Sequence, residues 1–79
     1  MEDVVVEFEG STVKVYIGRW RYPAIVEHGV TPERLKEYLE AEGADYAETE
    51  DGRLIVAHDQ LDRVERAFWR LKRYERGEA

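Results

Sequence analysis

VVVEFEGSTVKVYI, residues 4–17, alternates apolar and polar side chains on either side of a turn. Successive strand residues point to opposite faces, so a period of two marks a half-buried strand. Val4, Val6 and Phe8 share one face of the first run. Val13, Val15 and Ile17 share one face of the second, which leaves Thr12, Lys14 and Tyr16 outward. Glu9-Gly10-Ser11 supplies the turn. The stretch reads as a β-hairpin, and an antiparallel sheet starts here.

Working outward, Gly18 breaks the alternation and marks a bulge or bend. Residues 24–27 form a short third strand, expected at a sheet edge because Pro23 has no N–H to give a ladder. The first helix is signalled by Thr31 as N-cap, Pro32 at the first helical position and Glu33 at the positive end of the dipole. Val30 and Leu35 have the spacing of a hydrophobic staple. Leu35, Tyr38 and Leu39 form the apolar stripe, with Ala41 at its margin, and Gly43 is the stop.

Asp51-Gly52 separates residues 44–50 from 53–58 and signals a second hairpin. A two-residue loop and a three-residue bulged loop both fit, and each sets a different register. Leu54 and Val56 lie on one face with Ile55 and Ala57 on the other, as suits a strand in the sheet interior. Asp59 is then expected to cap a second helix over residues 60–76, about 25 Å long. Residues 77–79 are a frayed end. The order ββ(β)αββα predicts an α+β fold: an antiparallel sheet of four or five strands with two helices packed on one face. Residues 1–79 are expected to form one small domain.

Composition narrows the function classes. The chain has no Cys, so no disulfide, thiolate nucleophile or zinc–thiolate site is available. Ser11 is the only serine and sits in a turn, and no phosphate-cradling glycine loop is present. His28 and His58 each adjoin an acid, Glu27 and Asp59, but have no metal-ligand spacing. The expectation is a protein that is not an enzyme, with no cofactor, metal or small-molecule substrate. The acidic start has too short an apolar run for a signal peptide, and no segment approaches the ~20 apolar residues of a membrane span. A cytoplasmic location follows as the simplest expectation. Asn is absent and Arg outnumbers Lys nine to three, a thermophile-like composition that a GC-rich genome also produces.

Net charge is −6 but unevenly spread. Residues 27–62 carry eleven acids and three bases, whereas residues 63–79 carry six bases and three acids. Arg63, Arg66, Arg70 and Arg73 are spaced to share one face of the second helix. Leu61, Val64, Ala67, Phe68, Leu71 and Tyr74 fill the opposite, core-facing arc, and Trp69 projects on the polar side. Local pairing accounts for part of the stripe, since Asp59 precedes Arg63 and Asp62 precedes Arg66 by four residues. Arg70 and Arg73 have no such acid. Trp69 beside these cations is a candidate anchor for a contact surface. The alternative places it over the core edge under arginine stems.

A second basic-aromatic patch is Arg19, Trp20, Arg21 and Tyr22. On a strand the arginines share one face and the aromatics the other. The favoured reading has Trp20 and Tyr22 closing the core; the functional reading makes them stacking platforms for single-stranded nucleic acid. The leading expectation is therefore a protein–protein interaction module, a homo-oligomer or one subunit of a complex, using the Arg–Trp helix face. The second is binding of RNA or other single-stranded nucleic acid through Arg19, Arg21 and the stripe, against which the net charge argues. The third is an acidic regulator or inhibitor presenting Glu37, Glu40, Glu48, Glu50 and Asp51 to a basic partner.

Overall fold

The computed structural model describes residues 3–75, with side chains through Arg73. Strands β1 (Val4–Glu9), β2 (Thr12–Ile17) and β3 (Ile25–His28) precede helix α1 (Pro32–Ala41). Strands β4 (Tyr46–Glu48) and β5 (Leu54–Val56), a 3-10 turn over His58–Gln60 and helix α2 (Leu61–Glu75) complete the order. All neighbours in the five-stranded sheet are antiparallel, in the order β3-β2-β1-β5-β4. The α+β architecture expected from the hairpin pattern is the one observed. The third strand lies at an edge, shifted by one residue from its expected span, and β5 lies inside the sheet. The side chain of Tyr74, the expected helix end at Arg76 and the frayed end lie outside the described residues.

Period two decides which face is covered. Val4, Val6, Val13, Val15, Leu54 and Val56 are fully buried under α1 and α2, where they meet Leu35, Leu39, Val64, Ala67, Phe68 and Leu71. Phe8, Ile25, Tyr38, Tyr46 and Leu61 pack around them, half-buried. Truncating any of the buried leucines to Ala removes about 2–5 kcal/mol. The opposite face carries Val5, Glu7, Lys14, Tyr16 and Ile55, and no helix among the described residues covers it.

Local signals set the ends of α1. The Thr31 hydroxyl accepts the Arg34 N–H at 3.3 Å, and Val30 and Leu35 are both buried, as a staple requires. At the other end, Gly43 N–H donates to Glu40 O and Ala44 N–H to Leu39 O, at 3.0 and 2.9 Å. This double bond pattern is a Schellman motif, and it needs the left-handed backbone that Gly43 adopts (φ +73°).

The start of α2 differs from expectation. Asp59 lies inside the 3-10 turn and not at the cap of an α-helix, because α2 begins only at Leu61. Gln60 shapes this turn. Its N–H donates to Ala57 O at 3.0 Å, and its side-chain oxygen accepts the Asp45 N–H at 2.7 Å, tying the turn to the start of β4.

The register of the second hairpin is also settled. Glu48 pairs with Leu54, and Thr49 N–H donates to Arg53 O at 2.8 Å, so the loop is the three residues Glu50, Asp51 and Gly52. Gly52 supplies the positive φ (+89°) that such a loop requires. The Asp51 carboxylate accepts hydrogen bonds from the Thr49 hydroxyl and the Arg53 guanidinium.

These two donors, Thr49 first, hold the Asp51 carboxyl below its ordinary pKa. A carboxyl depressed on folding adds stability that is present above its unfolded-state pKa and is lost as pH falls through the folded value. An NMR titration is therefore expected to place the Asp51 midpoint below that of an exposed aspartate. Thr49→Val should move it back up; an unchanged midpoint in that variant would contradict the assignment.

Candidate interaction surfaces

Helix α2 divides cleanly. Val64, Ala67, Phe68 and Leu71 face the core, while Arg63, Arg66, Trp69 and Arg70 are exposed and Arg73 is half-buried. The charged face is not idle. Arg66 Nε lies 3.2 Å from Glu42 Oε1, and Arg70 Nε lies 2.9 Å from Glu42 Oε2. One carboxylate, its side chain only 9% exposed, thus bridges two arginines one turn apart. Arg66 also reaches Asp62 at 3.3 Å, the i,i+4 pair expected from spacing. Arg63 turns away from Asp59 and donates from Nη1 to the Gly43 carbonyl at 2.5 Å.

Three arginines of α2 therefore converge on the C-terminal end of α1. This resolves two local problems. Glu42 sits at the negative end of the α1 dipole, where an acid is unfavourable unless cations offset it. The last carbonyls of a helix also lack intrahelical donors, and Arg63 supplies one just beyond the end, at Gly43. Gly43 matters here a second time: a Cβ at that position would stand 3.1 Å from Arg63 Nη1. Glu42 was not among the acids that the sequence offers as stripe partners. It lies 24 and 28 residues from Arg66 and Arg70, so only the helix-end signal at Gly43 pointed to it.

Trp69 and Arg73 stand apart from this cluster. Trp69 is 58% exposed, and the Arg73 guanidinium carbon lies 4.7 Å from its ring centroid, in cation–π range. The indole is thus neither folded into the core edge nor free. It is braced by the Arg73 guanidinium over its ring.

The second patch is corrected. Residues 19–22 are not a strand: they lie in the turn and bend between β2 and β3. Gly18 N–H still bonds Asp3 O across the hairpin at 2.9 Å, and its φ of +59° then turns the chain away before Arg19. Trp20 and Tyr22 therefore do not close the core; they are 61% and 78% exposed. Arg19 and Arg21 are exposed beside them.

The acidic middle is partly engaged. Glu48 pairs with Lys36 at 2.6 Å and Asp51 with Arg53 at 3.0 Å, whereas Glu37, Glu40 and Glu50 are exposed. His28 Nδ1 lies 3.1 Å from the Thr12 hydroxyl, and His58 opens the 3-10 turn. Among the described residues no three His, Cys, Asp or Glu side chains are grouped to hold a metal. Nor is any helix there long and apolar enough to cross a membrane.

The chain matches no known protein family, curated protein or solved structure.

The Glu42 bridge is expected to fix α2 against α1. Both arginines are more than half exposed, so solvent screening keeps its worth small. Glu42→Ala should cost about 1 kcal/mol in denaturant unfolding at low salt, and less at high salt. No loss at low salt would show that apolar packing alone positions the helices.

Proposed function

We propose that this chain is a non-enzymatic protein–protein interaction module, self-associating or joining a complex through the polar face of α2. The observation that carries the reading is Trp69: a large aromatic more than half exposed on a rigid helix, with Arg73 over its ring. Rigid exposed aromatics flanked by arginine are the residues that most often anchor interfaces.

The Glu42 bridge supports this reading. A guanidinium carries five N–H donors. Arg70 spends only Nε on Glu42, and Arg66 spends Nε and one terminal nitrogen. Both side chains remain 58% exposed while each is held by Glu42. An acidic partner would meet a pre-ordered set of donors, at a lower entropic cost than free arginines impose. A cytoplasmic setting is proposed with it. A nucleic-acid role for the stripe is the weaker reading, because the net charge of −6 would repel a phosphate backbone over most of the surface.

The test places a photo-crosslinking aromatic at position 69 and follows Trp69→Ala alongside it. Stability should stay within about 0.5 kcal/mol of the parent, since the side chain is mostly exposed. Partner capture, or any self-association made through α2 itself, should fall. Capture unchanged in Trp69→Ala, with no protein adduct formed from position 69, would remove this reading.

A further inference from the structure

Trp20, Tyr22, Val26 and Trp69 are the exposed large hydrophobic side chains among the described residues. Three of these four fall on one continuous segment, the connection into β3 and β3 itself. Val26 pairs with Lys14, out of phase with the buried Val13 and Val15, so it lies on the uncovered sheet face. It is 43% exposed. As the outermost strand, β3 also leaves alternate backbone N–H and C=O groups without a ladder partner.

The two edges of the sheet are unlike. The opposite edge, β4, has three residues, and Lys36 and Glu48 form an ion pair at its end. The hairpin that closes it carries Glu50 and Asp51. Short length and charge are the usual means of blunting an edge. β3 has four residues and its own ion pair, Glu27 with Lys72, but unlike β4 it also presents an exposed valine at its middle.

Charge along β3 is polarised. Before it stand Arg19 and Arg21, exposed and without an ion pair among the described residues. At its far end stand Glu27, which holds Lys72 at 3.1 Å, and the exposed Glu33 in the first turn of α1. Antiparallel pairing of two such strands brings the basic start of each beside the acidic end of the other, twice per pair. Parity restricts the register further. Centring the two-fold axis on Val26 sets valine against valine and Ile25 against Glu27. Centring it on Glu27 would oppose two carboxylates, which is unfavourable.

We propose that β3 is the edge at which two copies of this chain join, antiparallel about Val26, into one continuous sheet. Trp20 and Tyr22 flank the seam, and Arg19 and Arg21 meet the acidic end of the neighbouring β3. The contact is isologous, so it closes at two copies, and the blunted β4 edge does not extend it. This interface is separate from the α2 surface and does not rest on it.

Sedimentation velocity over a dilution series tests the proposal. The parent chain is expected to dimerise. Val26→Lys sets two ammonium groups against each other at the axis and should weaken the dimer by about ten-fold or more. Arg19→Glu with Arg21→Glu should also weaken it, while Trp69→Ala should leave it intact. Far-UV circular dichroism reports whether each variant is folded. Amide hydrogen exchange on the unaltered chain gives an independent readout, since β3 amides should exchange more slowly as concentration rises. A parent that is monomeric throughout, with β3 exchange independent of concentration, overturns the proposal. So does a dimer that survives in folded Val26→Lys, or one lost in Trp69→Ala, which would move the seam to α2. A monomer that binds a single-stranded oligonucleotide through Arg19 and Arg21 overturns it in favour of nucleic acid.

Discussion

One apolar sheet face has to be sealed by two helices, and everything else in the molecule is arranged around that constraint. The face is built from Val4, Val6, Val13, Val15, Leu54 and Val56, all without solvent contact. α1 is ten residues long and contributes two buried leucines, so α2 supplies most of the cover. Hydrophobic burial is non-directional: it brings α2 onto the sheet without fixing where along α1 it rests. Directional contacts supply that position. Arg63, Arg66 and Arg70 meet the end of α1 at Glu42 and Gly43, and Lys72 meets β3 at Glu27.

This arrangement changes the meaning of the uneven charge along the chain. The basic last segment and the acidic middle look, in one dimension, like two surfaces meant for different partners. In three dimensions much of that charge pairs across elements of the same chain. The residues left over are more telling than the totals. Trp69 with Arg73, and the Arg19–Tyr22 connection, are exposed features that the packing of the fold does not account for.

Signals that operate within a few residues were legible in the sequence. The first hairpin, the Thr31–Pro32 helix start, the Gly43 stop and the core face of α2 each depend on neighbours within a turn or two. Trp20 and Tyr22 were misread for a related reason. Their alternation with arginine resembles a strand, but the backbone turns out of the ladder at Gly18, and alternation without pairing buries nothing. Asp59 has the chemistry of a cap, yet Gln60 tightens the chain into a 3-10 turn through a contact with Asp45 fifteen residues away. The Glu42 bridge was illegible because its partners come together only after both helices have docked. The site followed the same division: sequence spacing identified which side chains of α2 point outward, but not which of them were already engaged.

Gly43 concentrates several requirements at one position. Its positive φ ends α1, its N–H completes the helix-end bond pattern, and its carbonyl receives Arg63, whose guanidinium occupies the space a side chain would need. Backbone handedness, helix termination and interhelical docking are therefore linked through a single α-carbon. A residue tolerating the left-handed backbone, such as asparagine, still brings a Cβ to 3.1 Å from Arg63 Nη1, so the guanidinium has to yield by a few tenths of an ångström to admit it. Positions 43 and 63 are thereby physically coupled, although neither lies in the apolar core.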